Sequence, residues 1–206
     1  MKLKLNDRSF NLKPMTKNEP PARPLRHRNH GLVLWFTGLS GAGKSTISLR
    51  LKRVLAKAGL QVCILDGDVV RRHLCSDLGF TEADRKENIR RVAEVACLMA
   101  ETGVICLVAL ISPYRIDRQQ ARSRVKPGRF VEIFINAPLD ICEERDPKGH
   151  YAKARAGKIK QFTGISSPYE APENPEIVLP TDQMTIKDCV AEIVRHLKSK
   201  HRLPLD

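Results

Sequence analysis

Residues 32–47 read Leu-Val-Leu-Trp-Phe-Thr-Gly-Leu-Ser-Gly-Ala-Gly-Lys-Ser-Thr-Ile, and no other stretch restricts the fold as strongly. The apolar run 32–36 has the unbroken pattern of a strand buried on both faces, as in a parallel sheet. Residues 38–45 fit G-x-x-x-x-G-K-[ST], a loop whose backbone N–H groups wrap phosphate oxygens. Gly38, Gly41 and Gly43 permit the backbone conformations such a loop needs. Ile47, Leu51, Val54, Leu55 and Ala58 then fall on one helical face, and Gly59 is placed to end that helix. The start of this helix, near Lys44, adds N–H donors and the positive end of a dipole. Lys44 brings a mobile charge to the outer phosphates, and the Ser45 hydroxyl suits Mg²⁺. The stretch therefore predicts a site for a nucleoside triphosphate with Mg²⁺.

Beyond it, strands are predicted over 61–65, 104–110, 130–135 and 177–179. Helices are predicted over 84–102, 115–124 and 138–145, with a last one carrying Ile186, Val190, Ile193, Val194 and Leu197. Alternating strands and helices imply right-handed crossovers: an α/β fold of P-loop NTPase type, a parallel sheet with helices on both faces. The segment 145–163 is basic and punctuated by glycine, as expected of a lid over phosphates, though a solvated helix has the same composition. The 206 residues suit one kinase domain, 31–206, behind an irregular basic arm, 1–30, broken by Pro14, Pro20, Pro21 and Pro24.

Charge and cysteine usage narrow the class. No apolar run approaches the roughly 20 residues that span a bilayer, and no secretory leader is expected. The six cysteines include no C-x-x-C pair and read as reduced core residues of a cytoplasmic protein. The formal net charge is +13, and residues 1–30 hold eight Lys and Arg against Asp7 and Glu19. Such an arm is more often a mobile leader than a nucleic-acid-binding element. Positive charge on the body suits an anionic small substrate.

Ligands of parallel sheets lie beyond the carboxyl ends of the strands. Among those ends only the second, Asp66-Gly67-Asp68, offers carboxylates. Asp66 and Asp68 are thus the candidates for ordering Mg²⁺, with Ser45, and for accepting a proton. Arg71, Arg72, Phe80, Arg85 and Lys86 form a cluster able to grip an anion beside a stacking surface, with Arg72 and Lys86 read as solvated. The residues alone describe a Mg²⁺-dependent small-molecule kinase with an anionic acceptor.

Several strings go further. Leu65-Asp-Gly-Asp68 with Val70-Arg71, Leu78-Gly-Phe80, Asp84-Arg85 with 87–96, Ile111-Ser-Pro-Tyr-Arg115, Arg145-Asp-Pro-Lys-Gly149, Ala154-Arg-Ala-Gly157 and Phe162-Thr-Gly-Ile165 together resemble adenylyl-sulfate kinase, from about Gly31 to Thr181. The resemblance implies transfer of the γ-phosphoryl of ATP to the 3′-hydroxyl of adenosine 5′-phosphosulfate (APS), and a homodimer. It implies ATP contacts from Gly38, Leu39, Ser40, Gly41, Ala42, Gly43, Lys44, Ser45 and Thr46. Acceptor contacts would come from Asp68, Arg71, Phe80, Arg85, Asn88, Ile111, Ser112, Lys148 and Phe162. Phe80 and Phe162 would then clamp the adenine, and Arg71 and Arg85 would pair with the phosphosulfate. The family suggests a phosphoserine at Ser112, whereas in-line transfer needs no covalent step and leaves Ser112 as a hydroxyl that bonds the acceptor. Two residues depart from the family pattern: Val69 stands where Asn is frequent, and Gln161 where Gly is frequent. Both are expected to alter acceptor affinity. The other readings are a kinase for another small acceptor, such as a sugar acid, and a nucleotide-gated nucleic-acid-binding module.

Overall fold

Strand β1 (Leu32–Thr37) is buried along its whole length, and its alternation divides the core in two. Leu32, Leu34 and Phe36 face helix α1 (Lys44–Lys57) and the last helix, α7 (Ile186–His201), meeting Ile47, Leu51, Leu55, Ile193 and Leu197. Val33 and Trp35 face the other way, onto α3 (Glu82–Glu101) and α4 (Arg115–Arg124), meeting Ile89, Val92, Ala96 and Ala121. A strand buried on both faces belongs in the middle of a parallel sheet, and β1 lies there.

The computed structural model describes residues 31–201 and 203, so the basic arm expected over 1–30 lies outside the described residues. Strands β2 (Val62–Asp66), β3 (Ile105–Ala109), β4 (Phe130–Asn136) and β5 (Ile177–Pro180) complete a five-stranded sheet of order β2-β3-β1-β4-β5, and every pairing is parallel. β1 and β2 follow one another in sequence but are separated in the sheet by β3. The remaining helices are α2 (Gly67–Arg72), α5 (Leu139–Arg145) and α6 (His150–Arg155). Among the described residues no helix is long and apolar enough to cross a membrane.

Sequence periodicity recovers the long elements, and the short α5 and β5, to within a few residues, and misses α2 and α6. α4 spans the predicted 115–124, and α1 ends at Lys57, just before Gly59, which takes φ 76°. α3 begins two residues before the predicted start because Thr81 caps it. The Thr81 hydroxyl accepts from the Asp84 N–H at 3.2 Å while the Asp84 carboxylate accepts from the Thr81 N–H. α2 and α6, six residues each, are too short to show a period. Instead they start on local chemistry: Asp66 caps α2 by accepting from the Asp68 N–H at 3.0 Å.

Gly31 enters β1 against the end of α3, where an added Cβ would lie 1.7 Å from the Ala100 carbonyl oxygen. Gly31→Ala is expected to destabilise the protein by about 1–3 kcal/mol, because the backbone itself must give way. Thermal unfolding measures this, and an unchanged midpoint would contradict the packing described.

Candidate active site

The loop between β1 and α1 owes its shape to glycine. Gly38, at φ 145°, passes so close to β4 that a Cβ would sit 2.4 Å from the Ile135 carbonyl oxygen. Gly41 and Gly43, at φ 74° and 113°, turn the chain so that N–H groups can converge on an anion. Gly43 is also the N-cap of α1 and supplies no side-chain cap, so the helix opens with free donors.

Lys44 is buried, and its ammonium donates to the Gly38 carbonyl at 2.9 Å and the Leu39 carbonyl at 2.6 Å. Burial is the main reason its pKa falls to about 8. The Ser45 hydroxyl donates to the Asp66 carboxylate at 2.6 Å. A hydroxyl and a carboxylate in contact at the mouth of a phosphate loop fit a hard cation. Among the described residues no group of three or more His, Cys, Asp and Glu side chains could hold a metal by itself. A cation here would take its remaining ligands from phosphate and water, as Mg²⁺ does.

Asp68 sits on the first turn of α2 and forms an ion pair with Lys148, from just before α6. The two carboxylates thus look in different directions: Asp66 toward the phosphate loop, Asp68 toward the lid segment. Three residues past Asp68, the Arg71 guanidinium lies 4.4 Å from the centre of the Phe80 ring and donates to the Gly79 carbonyl at 2.7 Å. Phe80 is 58% exposed, so its ring retains a free surface for stacking. Arg72 and Lys86 are less engaged: Arg72 donates to the Asp68 carbonyl of its own helix, at 3.2 Å, and Lys86 is exposed.

Arg85 joins this surface to the lid. Its Nε donates to the Phe80 carbonyl at 2.9 Å, Nη1 to the Thr163 hydroxyl at 2.8 Å, and Nη2 to the Gln161 carbonyl. Phe162, between those two acceptors, packs edge-on against Tyr151 at 4.9 Å. One turn along α3, Asn88 is 3% exposed, and its Nδ2 is a buried donor without a partner among the described residues. Such a group is costly unless something bonds it. The fold pairs Asp68 with Lys148, and separately links Arg71, Phe80 and Arg85 to one another and, through Gln161 and Thr163, to the segment carrying Phe162.

Ser112 differs from the other candidates. It is 3% exposed with φ 43°, and its hydroxyl accepts from the Trp35 indole N–H at 3.1 Å. The neighbouring Ile111 carbonyl accepts from the Thr37 hydroxyl at 2.7 Å. Val69 is half exposed on α2, and Gln161 takes φ 56°, a conformation that glycine adopts freely.

Sequence reasoning missed several residues that brace the loop. Tyr151 of α6 is buried and donates its hydroxyl to the Ser40 carbonyl at 3.0 Å. Thr181 donates to the Ala42 carbonyl at 2.8 Å and is itself held by Arg145, whose Nη2 donates to the Thr181 carbonyl at 2.7 Å. A lone tyrosine in a basic run was the one available signal. Thr181 offered none.

Residues 30–180 match the family model for adenylylsulphate kinase. The adenylyl-sulfate kinase of Escherichia coli O139:H28 is 60% identical over 162 residues, covering 79% of this chain and 81% of that protein. The Mycobacterium tuberculosis APS kinase CysC, solved in complex with AMPPNP and APS, superposes with a TM-score of 0.78 at 45% identity, covering 82% of this chain and 98% of that one. A hexameric APS kinase from Thiobacillus denitrificans superposes with a TM-score of 0.63 at 35% identity, covering 82% of this chain and 29% of that one.

The lowered pKa of Lys44 has a measurable consequence. In the free protein Lys44 loses its proton above about pH 8, whereas a bound polyphosphate favours the ammonium. ATP binding at about pH 9 is therefore expected to take up close to one proton, and affinity to weaken as pH rises through this range. Calorimetry in buffers of different ionisation enthalpy reads the uptake. Lys44→Ala should abolish it, and uptake that persists in that variant would contradict the assignment.

Proposed function

The chain belongs to the adenylylsulphate kinase family, and from that premise we propose that ATP and APS meet at the Asp66–Asp68 turn. The chain is an ATP-dependent kinase that phosphorylates APS. The observation that supports this placement is the division of labour between neighbouring carboxylates. Asp66 touches the phosphate loop through Ser45, and Asp68 touches the lid through Lys148. One end of the turn belongs to the donor and the other to the acceptor.

In this reading the residues of the loop, Gly38, Leu39, Ser40, Gly41, Ala42, Gly43, Lys44, Ser45 and Thr46, hold the triphosphate, and Lys44 meets charge on the transferring phosphoryl. Ser45 and Asp66 would hold Mg²⁺, which would supply positive charge to the phosphates. Arg71 and Arg85 face the phosphosulfate, Phe80 and Phe162 take the adenine between them, and Asn88 supplies its unpaired Nδ2. Asp68 accepts the proton of the 3′-hydroxyl as its oxygen attacks the γ-phosphorus in line. The bond to the β,γ-bridging oxygen breaks, ADP leaves, and the product is 3′-phosphoadenosine 5′-phosphosulfate. Ser112 contributes through its buried, already hydrogen-bonded hydroxyl and needs no phosphoryl on it. We also read the chain as a homodimer, which light scattering tests.

ADP release from ATP and Mg²⁺ should rise strongly when APS is added, with a 3′-phosphorylated product. A sugar acid as the better acceptor would sink the reading. Asp68→Asn is expected to lower kcat by about 10²–10⁴ with both KM values nearly kept. Arg85→Ala should raise the KM for APS far more than that for ATP, and equal increases would argue against a separate acceptor pocket.

A further inference from the structure

Arg118 makes none of the contacts expected with either nucleotide, yet it is 2% exposed and its guanidinium ties together distant parts of the chain. Nε donates to the Glu132 carboxylate of β4 at 2.7 Å, Nη1 to the Ser112 carbonyl at 2.7 Å, and Nη2 to the Glu170 carbonyl at 2.8 Å. Glu132 is itself 9% exposed, so the buried cation has a buried counter-charge. Fixed planar geometry lets one arginine reach all three acceptors, which a lysine cannot do.

Two of those acceptors bear on the acceptor pocket. Ser112 holds φ 43°, a conformation that a residue with a side chain keeps only where its surroundings impose it. The imposing contacts are the Arg118 bond to its carbonyl, the Trp35 bond to its hydroxyl and the Thr37 bond to the Ile111 carbonyl beside it. Glu170 is stitched to the same turn. Its N–H donates to the Pro113 carbonyl at 2.8 Å, and its carboxylate accepts from the Arg115 N–H at 2.8 Å. Upstream of Glu170, Thr163 is bonded to Arg85. The chain following the lid and the turn at Ser112 therefore meet at one guanidinium.

We propose that Arg118 is a positioning residue for the acceptor nucleotide. It fixes Ile111 and Ser112 in the conformation that presents them to APS, and through Glu170 it keeps that turn aligned with the segment carrying Phe162 and Thr163. The proposal rests on the reading of Ile111 and Ser112 as acceptor contacts.

Arg118→Lys keeps the charge opposite Glu132 and gives up the two carbonyl bonds. Steady-state kinetics of the full chain should show the KM for APS raised about tenfold and the KM for ATP changed less than about twofold. A purely structural role would move both constants together or neither, and either result in folded protein overturns the proposal. Should Arg118→Lys fail to fold, the pair Arg118→Met/Glu132→Gln leaves no unpaired buried charge and is read by the same two constants. The wild-type assay separates the two levels. No transfer to APS by the wild-type protein overturns the functional reading itself, whereas normal wild-type transfer with an unchanged APS KM in the variant overturns only the role of Arg118.

Discussion

The 2.6 Å contact between the Ser45 hydroxyl and the Asp66 carboxylate organises this site, because it joins the start of α1, which follows β1, to the end of β2, a strand that is not a neighbour of β1. Phe36 of β1 pairs with Ala109 of β3, and Ala109 pairs with Asp66 of β2, so Asp66 ends its strand on the rung where β1 is about to enter the phosphate loop. A slip of one residue in β2 would take the carboxylate off that rung and turn it to the other face. Asp66 is also the N-cap of α2, so the residue that meets the loop launches the helix bearing Asp68 and Arg71. In the proposed reading, donor and acceptor residues are thereby set by one strand end.

Two basic residues then close the site from above. Lys148 reaches Asp68, and Arg85 bonds to both sides of Phe162. These contacts are between groups that the proposed substrates also address. Phosphosulfate or hydroxyl binding can therefore exchange one set of hydrogen bonds for another without exposing an unpaired charge. Deeper, the Arg118–Glu132 pair does not exchange. Removing Glu132 leaves the Arg118 charge buried, at a cost of about 3–5 kcal/mol, whereas Glu132 still meets Arg122 at 3.5 Å. The site is thus a replaceable outer layer of charge over a fixed inner one.

How much of this was legible depended on length and context. The apolar run of β1, the loop after it and the helical stripe of α1 are long, mutually consistent signals, and they appear where expected. The order of strands was not legible, since nothing local to β2 says that β3 will enter beside β1. Asp66 and Asp68 stood out because no other strand end carried a carboxylate, Phe80 stood out as a stacking surface among Arg71 and Arg85, and Phe162 stood out only through the family resemblance. Arg118 was invisible: in Arg-Ile-Asp-Arg-Gln-Gln-Ala-Arg-Ser-Arg it reads as one more solvated base, and only the fold places Glu132 across from it. The same holds for Tyr151, whose neighbours in sequence are basic while its hydroxyl ends on the phosphate loop.

In the proposed mechanism the phosphoryl group passes directly between two bound nucleotides, with Ser112 shaping the acceptor side and never carrying the phosphate. The stereochemical course at an isotopically chiral γ-phosphorus measures this most directly. One in-line displacement predicts inversion of configuration in the 3′-phosphorylated product. Retention would mean two successive displacements through a phosphoenzyme, and would contradict a purely positional role for Ser112.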